Sequence, residues 1–224
     1  MELRKNEDNF SSLLWELSKE DAIFEDFIDN KGRGILSFLV MEKKVPIQVF
    51  GSVCNSPLAE RLVNCQDTNM GLTVLHMFGI GSKSTERLNV DYVRLLLKIQ
   101  GVQRFIQEFD GSTPLHYYVQ VDNYEAAEML LTSAENSQEL HLENRNGNTA
   151  LLLAVHHFCT SSSLSDRMVH LLLQHGSDPN RKSADSHGNP LSALDQLVAE
   201  TTSTNWYIDF DFGETKTITE FLPE

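Results

Sequence analysis

One phrase, Asp110-Gly111-Ser112-Thr113-Pro114-Leu115-His116, constrains this chain more than any other stretch. Gly111 supplies a backbone position free to take positive φ, as a tight turn needs. Thr113 follows as a helix N-cap, with Pro114 at the first helical position, where a missing N–H costs nothing. Leu115, Val119, Ala126, Ala127, Leu130 and Leu131 are apolar at helical spacing, interrupted by the polar pair Asp122-Asn123. The pattern predicts a turn, a short helix, a second turn and a second helix. Neither helix could bury its apolar face alone, so the unit needs neighbours of its own kind.

Those neighbours are present in the sequence. Gly71-Leu72-Thr73-Val74-Leu75-His76 stands upstream, Gly147-Asn148-Thr149-Ala150-Leu151-Leu152 downstream, and Gly188-Asn189-Pro190-Leu191 is a weaker copy. The glycines lie roughly 36 to 41 residues apart, the range of stacked repeats. A leucine-rich second helix follows each of the first three: Leu95–Leu97, Met129–Leu131 and Leu171–Leu173. The third ends in Gly176-Ser177-Asp178-Pro179-Asn180, a C-cap glycine and a turn.

This phrase and period resemble the ankyrin repeat family, over roughly residues 67–200. The resemblance implies an all-α solenoid of about four to five helix-turn-helix repeats with a helical N-terminal cap. The chain departs from the family pattern in places. The repeats are about six residues too long at Gly81–Arg87 and Thr160–Ser165, which are expected to be loops. In the last copy Thr is absent before Pro190, so it reads as a degenerate terminal cap.

Residues 1–66 lack the phrase. Phe10, Leu13, Leu14 and Leu17 have helical spacing, as do Ile23, Phe24, Phe27 and Ile28. After Lys31–Gly34 the pattern resumes at Ile35, Leu36, Phe38, Leu39 and Val40. Val45–Gly51 reads as a break or a short extended segment. Ser56-Pro57 reads as N-cap and first residue of a helix through Leu58, Leu62 and Val63, the second helix of a diverged repeat. The region is expected to cap the stack, since an end repeat otherwise exposes its apolar face. A separate helical domain is the alternative. Residues 201–224 form an acidic C-terminal tail or the start of a further region. Trp206–Phe212 there alternates aromatic or apolar with acidic residues, either as a cover for the last helices or as a docking segment. Leu222-Pro223-Glu224 carries no end signal, so a longer parent protein stays open.

The residue types exclude several chemistries. The formal net charge is −14, which disfavours a direct grip on nucleic-acid phosphates. No apolar run reaches membrane-spanning length. Cys54, Cys65 and Cys159 lack metal-ligand spacing, and Met1–Lys5 opens no signal peptide, which together suggest a reducing compartment. His156-His157-Phe158-Cys159 invites a metal reading, but adjacent histidines point to different faces of a helix and nothing completes a tetrahedron. Gly79–Ser84 has the outline of a phosphate loop without the preceding strand or the full glycine spacing. No nucleophile elbow or paired carboxylates are present. The expectation is a non-enzyme with no cofactor and no metal. The family's motif histidines, here His76 and His116, are by resemblance structural.

By the same resemblance, the chain binds a protein partner along a concave face of turn tips and first helices. The tips would carry Thr68, Asn69 and Met70, then Asp110 and Ser112, then Asn144, Arg145, Asn146 and Asn148, then Asp185, Ser186 and His187. The first helices would present Met77 and Ile80, Tyr117 and Gln120, Leu153 and His156. Tyr117, Met77 and Leu153 are expected to form an apolar strip ringed by Asp110, Asn146 and His156. A partner would bring an apolar segment with a basic rim. Two functional readings follow: an intracellular adaptor or effector, monomeric and cytoplasmic or delivered to a host cell, or the targeting or regulatory domain of a larger enzyme.

Overall fold

The computed structural model describes residues 28–41, 45–80, 90–133, 138–160, 166–184 and 190–196. Its organising unit is a turn with one built-in acceptor. At Glu108–Ser112, Gly111 takes φ +77°. The Gly111 N–H donates to the Glu108 carbonyl, and the Glu108 N–H to the Ser112 carbonyl. The Glu108 carboxylate accepts from the Asp110 and Ser112 N–H groups, each at 2.9 Å. Asn144 Oδ1 does the same for Asn146 and Asn148, and Asp67 Oδ1 for Asn69 and Met70. A further turn of this build stands upstream of the first legible phrase, at Asp29–Gly34. There Gly32 has φ +73° and Asp29 Oδ1 accepts from the Lys31 and Arg33 N–H groups.

Successive turns are laced together. The Thr68 N–H donates to the Lys31 carbonyl, Phe109 to Met70, and Arg145 to Asp110, each at 2.8 Å. The Gln66 side-chain amide reaches the Gly71 and Gln107 carbonyls. Gln107 repeats the move one unit on, to Gly111 and Glu143. Backbone donors that a lone turn would leave to water are thus shared between neighbours, which fixes their spacing.

The helices stack in two layers behind the turns. The first layer holds α1 (Ile35–Met41), a 3-10 segment (His76–Gly79), α5 (Pro114–Gln120) and α7 (Ala150–Thr160). The second holds α2 (Ile47–Cys54), α4 (Val90–Leu96), α6 (Tyr124–Thr132) and α8 (Arg167–Gln174). Each element packs on the next of its own layer, and within three of the pairs also on its partner: α1 on α2, α5 on α6, α7 on α8. A short α3 (Pro57–Leu62) lies in the connection between α2 and the Asp67 turn. The core runs unbroken through both layers. Leu36, Leu75, Leu115 and Leu151 fill one row of the first, and Leu96, Leu130, Leu131, Leu171 and Leu172 the seam of the second. A strand pair is also present, β1 (Ser183–Ala184) antiparallel to β2 (Pro190–Leu191). The architecture is the all-α solenoid expected.

Three local readings need correction. Val45–Gly51 is not a break, because α2 begins at Ile47 with Pro46 in the extended N-cap position. Pro46 and two β-branched residues hid a helix whose Val49, Phe50, Val53 and Cys54 share a buried face. It is α2, not the helix opened by Ser56-Pro57, that packs in the second layer on α4. Ser56 does occupy the N-cap of α3, but its hydroxyl donates back to the Val53 carbonyl at 2.7 Å. In the last copy the N-cap is Ser192 rather than a residue before Pro190. The Ser192 N–H donates to the Asp195 carboxylate and the Asp195 N–H to the Ser192 hydroxyl, a reciprocal capping box. At the other helix end, α8 closes as read. Gly176 has φ +94°, the Gly176 N–H bonds Leu173, and the Ser177 N–H bonds Leu172. The proposed loops near residues 81–87 and 161–165, the tail and the first 27 residues lie outside the described residues.

Gly79 sets the closest approach in the first layer. A Cβ there would lie 2.3 Å from Tyr117 Cβ and 2.7 Å from the Tyr117 carbonyl carbon. The obstruction includes backbone, so no rotamer change relieves it. Gly79→Ala is expected to cost about 1–3 kcal/mol, the range for overpacking, read as a lower urea midpoint. An unchanged midpoint would mean that α5 can retreat freely from the 3-10 segment.

Candidate functional site

The face that the turns and first helices share follows from a common register. The residue preceding each first helix, or its equivalent, is Gly34, Thr73, Thr113, Thr149 and Ser192. Four places on stand Phe38, Met77, Tyr117, Leu153 and Gln196, and seven places on Met41, Ile80, Gln120 and His156. A three-residue step keeps both rows on one side of a helix.

Two buried histidines lock this register. Thr113 N–H donates to His116 Nδ1 at 3.1 Å, and the Thr113 hydroxyl lies 2.8 Å from the same nitrogen. Because Nδ1 must accept from the N–H, the ring proton sits on Nε2, which donates to the Asn148 carbonyl of the next unit at 2.9 Å. His76 is built identically, with Thr73 on Nδ1 and the Ser112 carbonyl 3.2 Å from Nε2. Burial pulls both histidines down to about 4, so they stay neutral and bridge repeats. In the third copy Leu152 replaces the histidine, and Thr149 Oγ1 accepts from the Leu152 N–H alone.

Of the face residues read from the sequence, Ile80, Asp110, Gln120, Arg145, Asn146 and His156 are exposed. Met77 and Leu153 are not, with 7% and 8% of their surface accessible, and Ser112 is buried beneath its turn. The strip of Met77, Tyr117 and Leu153 therefore does not stand open as drawn. Only Tyr117 is half-exposed, its ring edge-on to His76 with centroids 5.4 Å apart. Since Tyr117 also abuts Gly79, truncating it would disturb packing as well as any contact. His156 does not stand alone either: its Nδ1 lies 3.0 Å from Gln196 Nε2.

Sequence reasoning placed Met70 and Ile80 on the face but missed Phe38, Met41 and Phe109. Six large hydrophobic side chains are exposed among the described residues, and five share this side. Phe38 (51%), Met41 (51%) and Ile80 (46%) lie in the two helix rows, while Met70 and Phe109 sit on the turn tips; only Phe105 is elsewhere. Phe38 and Met41 fell in the region without the phrase. The signal that would have found them is the acceptor-to-glycine spacing Asp29…Gly32, the same as Glu108…Gly111.

Further along the same rows the side chains turn polar, at Gln120, His156 and Gln196. Between the two halves, Tyr117 faces carboxylates. Its hydroxyl is pushed up to about 12, first by burial and then by Glu108, Asp110 and Asp67. Arg145 Nη1 reaches Asp110 at 3.4 Å, both side chains exposed, a pair of little energetic weight.

Elsewhere the chemistry is sparse. Among the described residues no three of His, Cys, Asp and Glu group to hold a metal ion. Cys54 is buried and its thiol pushed up to about 12 by desolvation, the opposite of an activated nucleophile. No helix of the described residues is long and apolar enough to cross a membrane.

Residues 85–183 match the family model for ankyrin repeats, in three copies. The turns at Asp29 and Asp67 precede that match but share its build. No curated protein matches the chain. Residues 85–183 are thus ankyrin repeats, and the turn ladder, histidine bridges and paired helix layers continue upstream in the same register.

Proposed function

We propose that the chain is a non-catalytic interaction module, an adaptor or effector, that binds a protein partner through the face of turn tips and first helices. Ankyrin repeats are generally protein-interaction modules, and one observation carries the reading here. Five of the six exposed large hydrophobics among the described residues gather on that side. A surface keeps such side chains together in water when something else covers them. The partner supplies an apolar segment with a basic rim, suited to a chain of net charge −14. It does so in the cytoplasm, with the module acting as a monomer.

Affinity capture with quantitative mass spectrometry tests this. Met41→Glu with Ile80→Glu is expected to lose a captured partner at least tenfold, about 1.4 kcal/mol. Phe105→Glu, an equally apolar and exposed position off the face, should retain it. The reverse pattern would place the interface on the other side of the stack.

A further inference from the structure

We propose that the 3-10 turn Gln138–His141 is a strap that opens off α7 while the helices around it stay packed. When closed it packs on α7, with Glu139 and Leu140 both buried. Both carboxylate oxygens of Glu139 are shut away without a hydrogen-bond partner, a state shared among the described residues only by the Ser177 hydroxyl. A carboxyl buried in this way loses its hydration and receives no donor in return, so closure is penalised at one side chain. Opening returns Glu139 to water while uncovering Leu140.

The equivalent connection one unit upstream is held. Asn64 grips it from the preceding unit, its side-chain amide donating to the Gly101 carbonyl and its Oδ1 accepting from the Gln103 N–H, each at 2.8 Å. Asn64 stands three residues before the Asp67 acceptor. Three residues before Glu108 stands Phe105, exposed and with no side-chain group to bond. Gln103 lies five residues before Glu108, as Glu139 lies five before Asn144. The position that Asn64 clamps at Gln103 is thus occupied in the strap by Glu139, and a phenylalanine stands where its clamp would be. The chain is tied on either side of the strap. Arg104 Nη1 donates to the Ser133 carbonyl just past α6, and Gln107 Nε2 to the Glu143 carbonyl at 2.9 Å. Those two ties confine the opening to the residues between them.

Thiol labelling of the native full chain reads the opening, each labelled site being identified by peptide mass. Leu140→Cys is expected to react with iodoacetamide at least tenfold faster than Leu130→Cys, a buried control in α6. Its rate should barely change in low urea, because a local opening exposes little surface. Adding Glu139→Met, which keeps the bulk and removes the carboxyl, should slow labelling at position 140 at least tenfold. Phe105→Asn supplies the clamp from an exposed position and should slow it in the same direction. Equal labelling at positions 140 and 130 would overturn the strap. So would a rate at 140 that rises with urea as steeply as that at 130, or one that neither added substitution slows.

Discussion

Leu130→Ala is expected to lower the free energy of unfolding by about 2–5 kcal/mol, the range for emptying a packed leucine site. Leu130 is fully buried in α6. That helix lies between α4 and α8 in the second layer, so Leu130 belongs to the seam that includes Leu96 on one side and Leu171 and Leu172 on the other. α4 packs on α2 on its far side and α8 on α7, so neither neighbour can collapse fully into the void. A solenoid's stability is roughly a sum of unit and nearest-neighbour terms, and a central cavity weakens two interfaces at once. Against a total of about 5–15 kcal/mol for an ordinary domain, the loss should be plain in a urea titration. A midpoint within error of the wild type would mean that the second layer is not packed in this register.

The second large effect is on pH. His76 and His116 have folded values near 4, against 6.5 for an ordinary histidine. Above about 6.5 both rings are neutral in either state, and the stability from their bridging hydrogen bonds is complete. Between 6.5 and 4 the unfolded chain takes up protons that the folded chain refuses, so stability falls with falling pH. Below about 4 this contribution is spent. The loss by pH 5 is on the order of 2 kcal/mol per histidine. Carboxylates act alongside, so the informative comparison is with His116→Leu, the residue that the third copy carries as Leu152. That variant should be less stable at pH 7.5, having lost the contacts to Thr113 and Asn148, but between pH 7.5 and 5 the histidine contribution to its loss should be only about half that of the wild type. Parallel wild-type and variant curves of urea midpoint against pH would show that His116 is not held neutral.

Much of this was legible from residues alone because the determinants are local. A positive-φ glycine, an N-capping threonine, a proline at the first helical position and a C-cap glycine each act within four or five residues. The phrase around Gly111, the Gly176 helix end and the Leu95, Leu130 and Leu171 triplets therefore stand where the spacing put them. Repetition then implied stacking, since one helix pair cannot bury its own apolar face. Other features were out of reach because they belong to pairs of units. The place of the Asp29 turn and α2 in the stack is set by contacts between units, the Lys31 carbonyl accepting from Thr68 and α2 packing on α4. Gly79 looked like part of a loop, yet it is where the Tyr117 backbone comes closest. Met77 and Leu153 occupy the same register position as Tyr117, and no pattern within one repeat says which of the three a neighbour will cover. Burial at that position depends on the local spacing between stacked helices, which side chains from adjacent units set together. Local residue chemistry set the repeat unit and its helix caps; the packing between units set which side chains stay exposed.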